Sequence, residues 1–226
     1  MNTIGILGNI GSGKNTVAQY LATQGCIPTS FAGPIKDLCT SVFGWPRDML
    51  EGETDESREF RENIDLYWSK KLGIPNFTPR LALQLIGTEV MRDHFHPDIW
   101  LNSLEYRVKK LHNENECVVI SDVRFKNELD LIKRVGGTTI LVQRDERPEW
   151  YDIALAANNG DAVAKHIMSR DFKHVHESEW DWVGCDIDYT INNNGTLEDL
   201  YANIDVIIEK LPQKPQIFHD NGLEII

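Results

Sequence analysis

The chain has 226 residues, of which 41% are hydrophobic, and sets 23 Lys and Arg against 35 Asp and Glu for a formal net charge of −12. That length and composition suit a soluble globular domain with ample core, and no run of roughly eighteen apolar residues offers a membrane span. The start, M-N-T-I-G-I-L-G, lacks the regions of a signal peptide, and the acidic balance speaks against holding a nucleic acid polymer while leaving room for small phosphorylated ligands in a local basic pocket.

Residues 3–7, T-I-G-I-L, predict a short buried strand running into a glycine-rich turn. Residues 14–24 predict a helix, with Val17, Tyr20 and Leu21 at helical spacing and Gly25 as its stop. A second strand is expected at 27–31 and a helix after Pro34. The acidic run 51–62, E-G-E-T-D-E-S-R-E-F-R-E, reads as a solvated helix face. Thr78 and Pro79 read as the N-cap and first residue of a helix through R-L-A-L-Q-L-I-G-T-E-V-M, and a further helix spans about Asp98 to Leu111.

C-V-V-I-S (117–121) and T-T-I-L-V (138–142) read as strands buried on both faces. Between them a helix carries Phe125, Leu129, Ile132 and Val135 and stops at Gly136-Gly137. Residues 145–185, polar and rich in Trp and His, interrupt the alternation. A last strand is expected at 187–191. Thr196 and Asp199 form a capping box for a final helix with Leu197, Leu200, Ile204, Ile207 and Leu211 on one face. Strands alternating with helices imply an α/β fold, a parallel sheet covered by helices on both faces, with ligands at the carboxyl ends of the strands. Cys26, Cys39, Cys117 and Cys185 lack metal or disulfide spacing and read as free thiols of a reducing cytoplasm. His94, His96, His174 and His176 read as solvated polar positions, since no further ligand completes a metal site.

The strongest motif is G-N-I-G-S-G-K-N-T, residues 8–16, which fits G-x-x-x-x-G-K between a strand and a helix. Gly8, Gly11 and Gly13 let the backbone turn so that N–H groups, including those around Ser12, point at an anion; Lys14 adds a charge for β- and γ-phosphates, and Thr16 a hydroxyl for the α-phosphate. Asn15 stands where Ser or Thr commonly meets Mg²⁺, which favours a small-molecule kinase over a switch and leaves metal ligation unassigned. After the strand 117–121, Asp122 is placed to order a metal-bound water or a substrate group, or to cap the next helix, and Arg124 to reach a phosphate. Arg80, Gln84, Gly87 and Thr88 share one face of an ideal α-helix: an arginine for phosphate, an amide for a base edge and a glycine for close approach. Arg144, Arg147, Arg170 and Lys173 sit in or beside the segment 145–185, which reads as a lid that would exclude water from a phosphoryl group.

As a set these stretches resemble the phage-type deoxynucleoside monophosphate kinases. The resemblance is carried by G-N-I-G-S-G-K-N-T, A-G-P-I-K-D (32–37), E-S-R (56–58), P-R-L-A-L-Q-L-I-G-T-E (79–89), D-I-W (98–100), S-D-V-R-F-K-N-E (121–128) and H-E-S-E (176–179). It implies the P-loop kinase fold as a single domain over 1–211, with an acceptor-binding region at about 45–112, a lid at about 145–185 and a tail at 212–226. It also implies transfer of the ATP γ-phosphoryl group to a deoxynucleoside monophosphate, with Mg²⁺ accompanying ATP, in the cytoplasm (of a host, if phage-encoded). Lys14 and Thr16 then belong to the ATP site, Lys14 and Arg124 to catalysis. Lys36, Arg58, Arg80, Gly87, Thr88, Trp100, Asp122, Arg124 and Glu128 belong to the monophosphate site and its surroundings. A homodimer is an open expectation. The first residues also resemble a dephospho-coenzyme A kinase, whose acidic pair after the second strand is replaced here by Lys36 in S-F-A-G-P-I-K-D. A P-loop ATPase or nucleotide-binding module is the third reading.

Overall fold

The apolar runs of the sequence become one five-stranded parallel sheet in a computed structural model that describes residues 2–114 and 116–211. β1 (Thr3–Leu7), β2 (Cys26–Thr29), β3 (Cys117–Ile120), β4 (Thr138–Gln143) and β5 (Tyr189–Asn192) lie in the order β2-β3-β1-β4-β5. The helices are α1 (Lys14–Thr23), α2 (Gly33–Phe43), α3 (Asp55–Glu62), α4 (Leu66–Leu72), α5 (Pro79–Gln84), a π-helix (Leu85–Phe95), α6 (Ile99–Asn113), α7 (Lys126–Arg134), α8 (Tyr151–Asn158), α9 (Ala162–Asp171) and α10 (Leu197–Lys210). The tail 212–226 lies outside the described residues.

The two-residue period of β1 sorts its side chains between two faces. Ile4 and Ile6 join Val17 and Leu21 of α1, Val119, Ile140, Val142 and Ile191 of the neighbouring strands, and Leu200 and Ile204 of α10 in one core. Gly5 turns to the other face, where Ile132 of α7 packs 3.0 Å from the position of a Cβ. Helices therefore cover both faces, as the alternation of elements requires. The capping box before α10 is present, with Thr196 Oγ1 accepting from Asp199 N at 3.2 Å.

The described residues divide into two compact units, one formed by residues 31–104 and one by the sheet with the rest of the described residues. The smaller unit starts before the acceptor region expected from about residue 45. Its core is Cys39, Trp45, Leu50, Phe77 and Ala82. Buried indoles need partners for their N–H groups: Trp45 donates to Asp65 Oδ2 at 2.8 Å and Trp68 to the Phe43 carbonyl at 3.1 Å. Thr78 caps α5 as expected, its Oγ1 accepting from Leu81 N at 3.1 Å. The acidic run is not only a solvated face, because Glu51 accepts from both Lys36 and Arg47.

Two expectations are corrected. Cys26 and Cys117 are not free thiols; they are register partners at the starts of β2 and β3, with Cα atoms 4.4 Å apart, and form a disulfide. Their separation of 91 residues hides this adjacency from any reading of spacing. Cys39 and Cys185 are free, and burial pushes the Cys39 thiol up to about 11. The segment 145–185 is also more than a polar insertion. It contains α8 and α9, and buries Trp150, Ala154, Ala157, Ala164, Met168, Trp182 and Val183. Asn158 Nδ2 ties the returning chain down by donating to the carbonyls of Trp180 and Val183, each at 2.9 Å. Alanines carry much of this packing, so the segment shows little hydrophobic periodicity. Among the described residues no helix is long and apolar enough to cross a membrane.

Candidate functional site

In the sheet unit, β1 ends at Leu7 and α1 begins at Lys14, so the glycine-rich turn lies at the carboxyl end of the central strand. Gly8 and Gly13 have φ of 144° and 100°. A Cβ at Gly8 would lie 2.3 Å from the Val142 carbonyl oxygen, and one at Gly13 would lie 2.4 Å from Asn193 Nδ2. Gly8 therefore demands glycine twice over, by dihedral and by a backbone contact, and Gly13 demands it by dihedral. Inside the turn, the buried Ser12 Oγ and Asn9 Oδ1 have no hydrogen-bond partner, an unusual state for buried polar atoms.

Lys14 folds back over this turn, its Nζ donating to the carbonyls of Gly8 and Asn9 at 2.8 and 2.7 Å. Burial lowers its pKa from 10.5 to about 8; the Arg124 charge adds to the depression and Glu179 opposes it. Thr16 is half-buried and Asn15 exposed on the first turn of α1. Asn193, just past β5, holds the turn in place: its Nδ2 donates to the Ser12 carbonyl at 2.8 Å and its own N–H to the Gln143 carbonyl at 2.7 Å. Sequence reasoning missed Asn193. The signal was present in its position, since the run Asn192–Asn194 ends the strand beyond β4 on the ligand side of the sheet.

Asp122 follows β3, which pairs with β1 through Gly5↔Ile120, so the loop after β3 leaves the sheet beside the glycine-rich turn. The N-cap position of α7 is Phe125, three residues past Asp122. The capping carboxylate is Glu128, buried, whose Oε2 accepts from the N–H groups of Arg124 at 2.7 Å and Phe125 at 3.1 Å. Asp181 adds a third anchor by accepting from Lys126 N at 2.7 Å. The Arg124 guanidinium donates to Glu179 Oε1 at 3.0 Å. The sheet unit thus brings together Lys14, Arg124 and Glu179, of which only Glu179 had no role assigned from sequence.

In the smaller unit the expected basic residues sit in ion pairs. Lys36 pairs with Glu51, Arg58 with Asp55 at 2.8 Å, and Arg80 with Glu62 at 2.6 Å. Exposed pairs such as those of Arg58 and Arg80 are weak and exchange readily for another anion. Arg80, Gln84, Gly87 and Thr88 do not share one face. The α-helical ladder gives way to a π-helix at Leu85, which widens the turn and shifts every later position. Arg80, Gln84 and Thr88 stay exposed, while Gly87 is buried with Ile35 Cδ1 3.2 Å from the position of a Cβ. Trp100 is buried and spends its indole N–H on the Gly87 carbonyl at 2.8 Å. Trp100→Phe should lower stability by about 1–2 kcal/mol, read from the urea midpoint, because that carbonyl loses its donor. An unchanged midpoint would mean that the bond contributes nothing.

The chain matches the family model described as deoxynucleotide monophosphate kinase over residues 49–156. It is 32% identical to a protein of Acanthamoeba polyphaga mimivirus that bears deoxynucleotide monophosphate kinase as a provisional name, over 94% of this chain and 99% of that one. This chain belongs to the deoxynucleotide monophosphate kinase family. The Escherichia phage T5 protein named deoxynucleoside-5'-monophosphate kinase is 28% identical over 59% of this chain and 72% of its own length. Among solved structures, a dephospho-CoA kinase from Campylobacter jejuni covers 92% of this chain and 96% of its own, at 17% identity and a TM-score of 0.44, a likeness too distant to bear on ligands. The family membership agrees with the resemblance seen in the motifs and with the α/β kinase architecture of the sheet unit. The glycine-rich turn at the end of β1 has the strand–turn–helix context and the lysine that a phosphate-binding loop requires.

Proposed function

We propose that this chain transfers the γ-phosphoryl group of ATP to a deoxynucleoside monophosphate. An oxygen of the acceptor phosphate forms the new bond to the γ-phosphorus as the bond to the β-phosphate oxygen breaks, leaving ADP and a deoxynucleoside diphosphate. Such a transfer needs positioning and charge neutralisation and no enzyme nucleophile. The observation that carries the reading is Lys14. It is held across its own loop by two carbonyls, is depressed by burial and by Arg124, and so gains most by moving onto phosphate oxygens. The partnerless Ser12 Oγ lies in the same loop and supports the same reading.

In this assignment the amides of Gly8–Thr16 and Lys14 hold the β- and γ-phosphates of ATP, with Thr16 at the α-phosphate. Arg124 carries charge for the transferring group. Lys36, Arg58 and Arg80 exchange their carboxylate partners for the acceptor phosphate, and Gln84 meets the base edge. Gly87 and Trp100 shape the acceptor region, Thr88 lies exposed beside it, and Glu128 fixes the loop bearing Asp122 and Arg124. The segment 145–185 shelters the reaction from water. Among the described residues no cluster of three or more His, Cys, Asp or Glu forms a metal cage. These residues fit a magnesium ion that arrives on ATP and is held mainly by phosphate oxygens and water, with Asp122 at its water shell. When bound, magnesium neutralises charge on the phosphates. A cytoplasmic location belongs to the same proposal.

The test is product formation from ATP with a panel of deoxy- and ribonucleoside monophosphates plus dephospho-coenzyme A. Diphosphates of the deoxynucleosides are expected. Activity on dephospho-coenzyme A alone, or ATP hydrolysis independent of any acceptor, overturns the reading.

A further inference from the structure

Glu179 pairs with Arg124 beside the glycine-rich turn at 3.0 Å, and its setting is built. It ends the short turn Glu177–Glu179, which follows the second helix of the 145–185 segment. His176 Nδ1 caps that turn by accepting from Ser178 N at 3.1 Å, and Ser178 is buried. The chain just beyond is anchored by the buried Trp182 and Val183, by the Asn158 bond to the Trp180 carbonyl, and by the Asp181 bond to the first residue of α7. The Glu179 side chain is only 16% exposed, against 43% for Arg124. A carboxylate near a site for phosphates repels them, so its presence there calls for a compensating role.

Two cations share this site. Lys14 is steadied by two carbonyls, whereas Arg124 is steadied at its backbone by Glu128 and at its guanidinium by Glu179. A long arginine side chain left to itself samples many rotamers, and fixing it in advance removes that entropy from the transition state. The Glu179 charge also reaches Lys14 with the opposite sign to that of Arg124.

We propose that Glu179 is a positioning residue for phosphoryl transfer, holding the Arg124 guanidinium beside Lys14 and offsetting the repulsion between the two cations. The inference rests on the phosphotransfer reading given above. It separates binding from turnover. Removing the carboxylate frees Arg124, which slows the chemical step, but also removes a negative charge from the phosphate site, which does not weaken nucleotide binding.

The experiment is steady-state kinetics on the full chain with ATP and a deoxynucleoside monophosphate, for the wild type, Glu179→Ala, Glu179→Gln, Arg124→Ala and the double variant Arg124→Ala with Glu179→Ala. Glu179→Ala is expected to lower kcat by about 10–100-fold, the range for side chains that orient a metal ligand by a comparable hydrogen bond, with KM for both nucleotides unchanged or lower. Glu179→Gln keeps an acceptor oxygen for Arg124 and is expected to fall between wild type and Glu179→Ala; being isosteric, it also stands in if the alanine variant fails to fold. The double variant is expected to be no slower than Arg124→Ala alone. A wild-type kcat in Glu179→Ala, losses that multiply in the double variant, or a raised KM with a lowered Tm and intact kcat would each overturn the inference. A wild-type chain inactive toward every monophosphate would instead overturn the underlying reading, and the inference with it.

Discussion

Lys14→Met is expected to lower phosphoryl transfer by roughly 10³-fold while leaving the melting temperature at neutral pH equal to or above that of the wild type. The loss follows from removing the side-chain cation of the proposed phosphate-binding loop. The unchanged or higher stability follows from proton linkage. The pKa of Lys14 in the folded chain, about 8, lies below its ordinary 10.5. Between those values the unfolded chain binds more protons than the folded one, so stability rises with pH across that window. Below pH 8 the folded chain carries the full cost of the buried charge, on the order of 3 kcal/mol for a displacement from 10.5 to about 8. Methionine fills similar space without the charge, and the lost bonds to the Gly8 and Asn9 carbonyls take back part of the gain. In the wild type, ATP affinity should weaken as pH rises through about 8, since only protonated Lys14 attracts phosphate; the methionine variant should lack this dependence. A variant that melts earlier and also loses transfer would show that Lys14 holds the loop rather than the nucleotide.

Gly8→Ala is expected to cost about 3–5 kcal/mol of stability and to abolish ATP binding. The φ of 144° is foreign to residues with a Cβ. The added carbon would stand 2.3 Å from the Val142 carbonyl oxygen and 2.8 Å from Ser12 Oγ. Val142 belongs to β4, which pairs with β1 up to Leu7↔Leu141, so neither backbone can withdraw without breaking the ladder. Gly11→Ala makes the control. Its φ of 80° also disfavours alanine, but a Cβ there meets nothing within 4 Å, so the cost should be only about 1–2 kcal/mol. Urea midpoints and ATP binding by calorimetry separate the two. Equal losses at Gly8 and Gly11 would mean that dihedral preference, not the contact with β4, governs the loop.

Much of the candidate site was legible because its signals are local. The strand before the loop, the glycines within it and Lys14 after it fall in twelve successive residues, 3–14. The Thr78 and Thr196 caps were likewise visible, since a cap and its target lie three residues apart. Glu128 was found by resemblance but acts through its neighbours' backbone, which no spacing states. The shared face of Arg80, Gln84, Gly87 and Thr88 assumed 3.6 residues per turn. The π-helix from Leu85 invalidates that period, and it arises in a unit whose packing sets Ile35 and Trp100 against Gly87.

Composition, charge, the alternation of the five strands with helices and the glycine-rich motif before α1 were thus determined by the sequence alone, since each depends on residues within a few positions of one another or on the chain as a sum. The Cys26–Cys117 bond, the Asn193 bond to the Ser12 carbonyl and the Arg124–Glu179 pair were decided only by the tertiary structure. They join residues separated by 91, 181 and 55 positions. No local preference encodes which distant strand ends meet; that follows from the β2-β3-β1-β4-β5 order and its register. In this chain of net charge −12, Lys14 is held locally by the carbonyls of Gly8 and Asn9, whereas the Arg124 guanidinium is held by Glu179, a carboxylate brought in from the far end of an inserted helical segment.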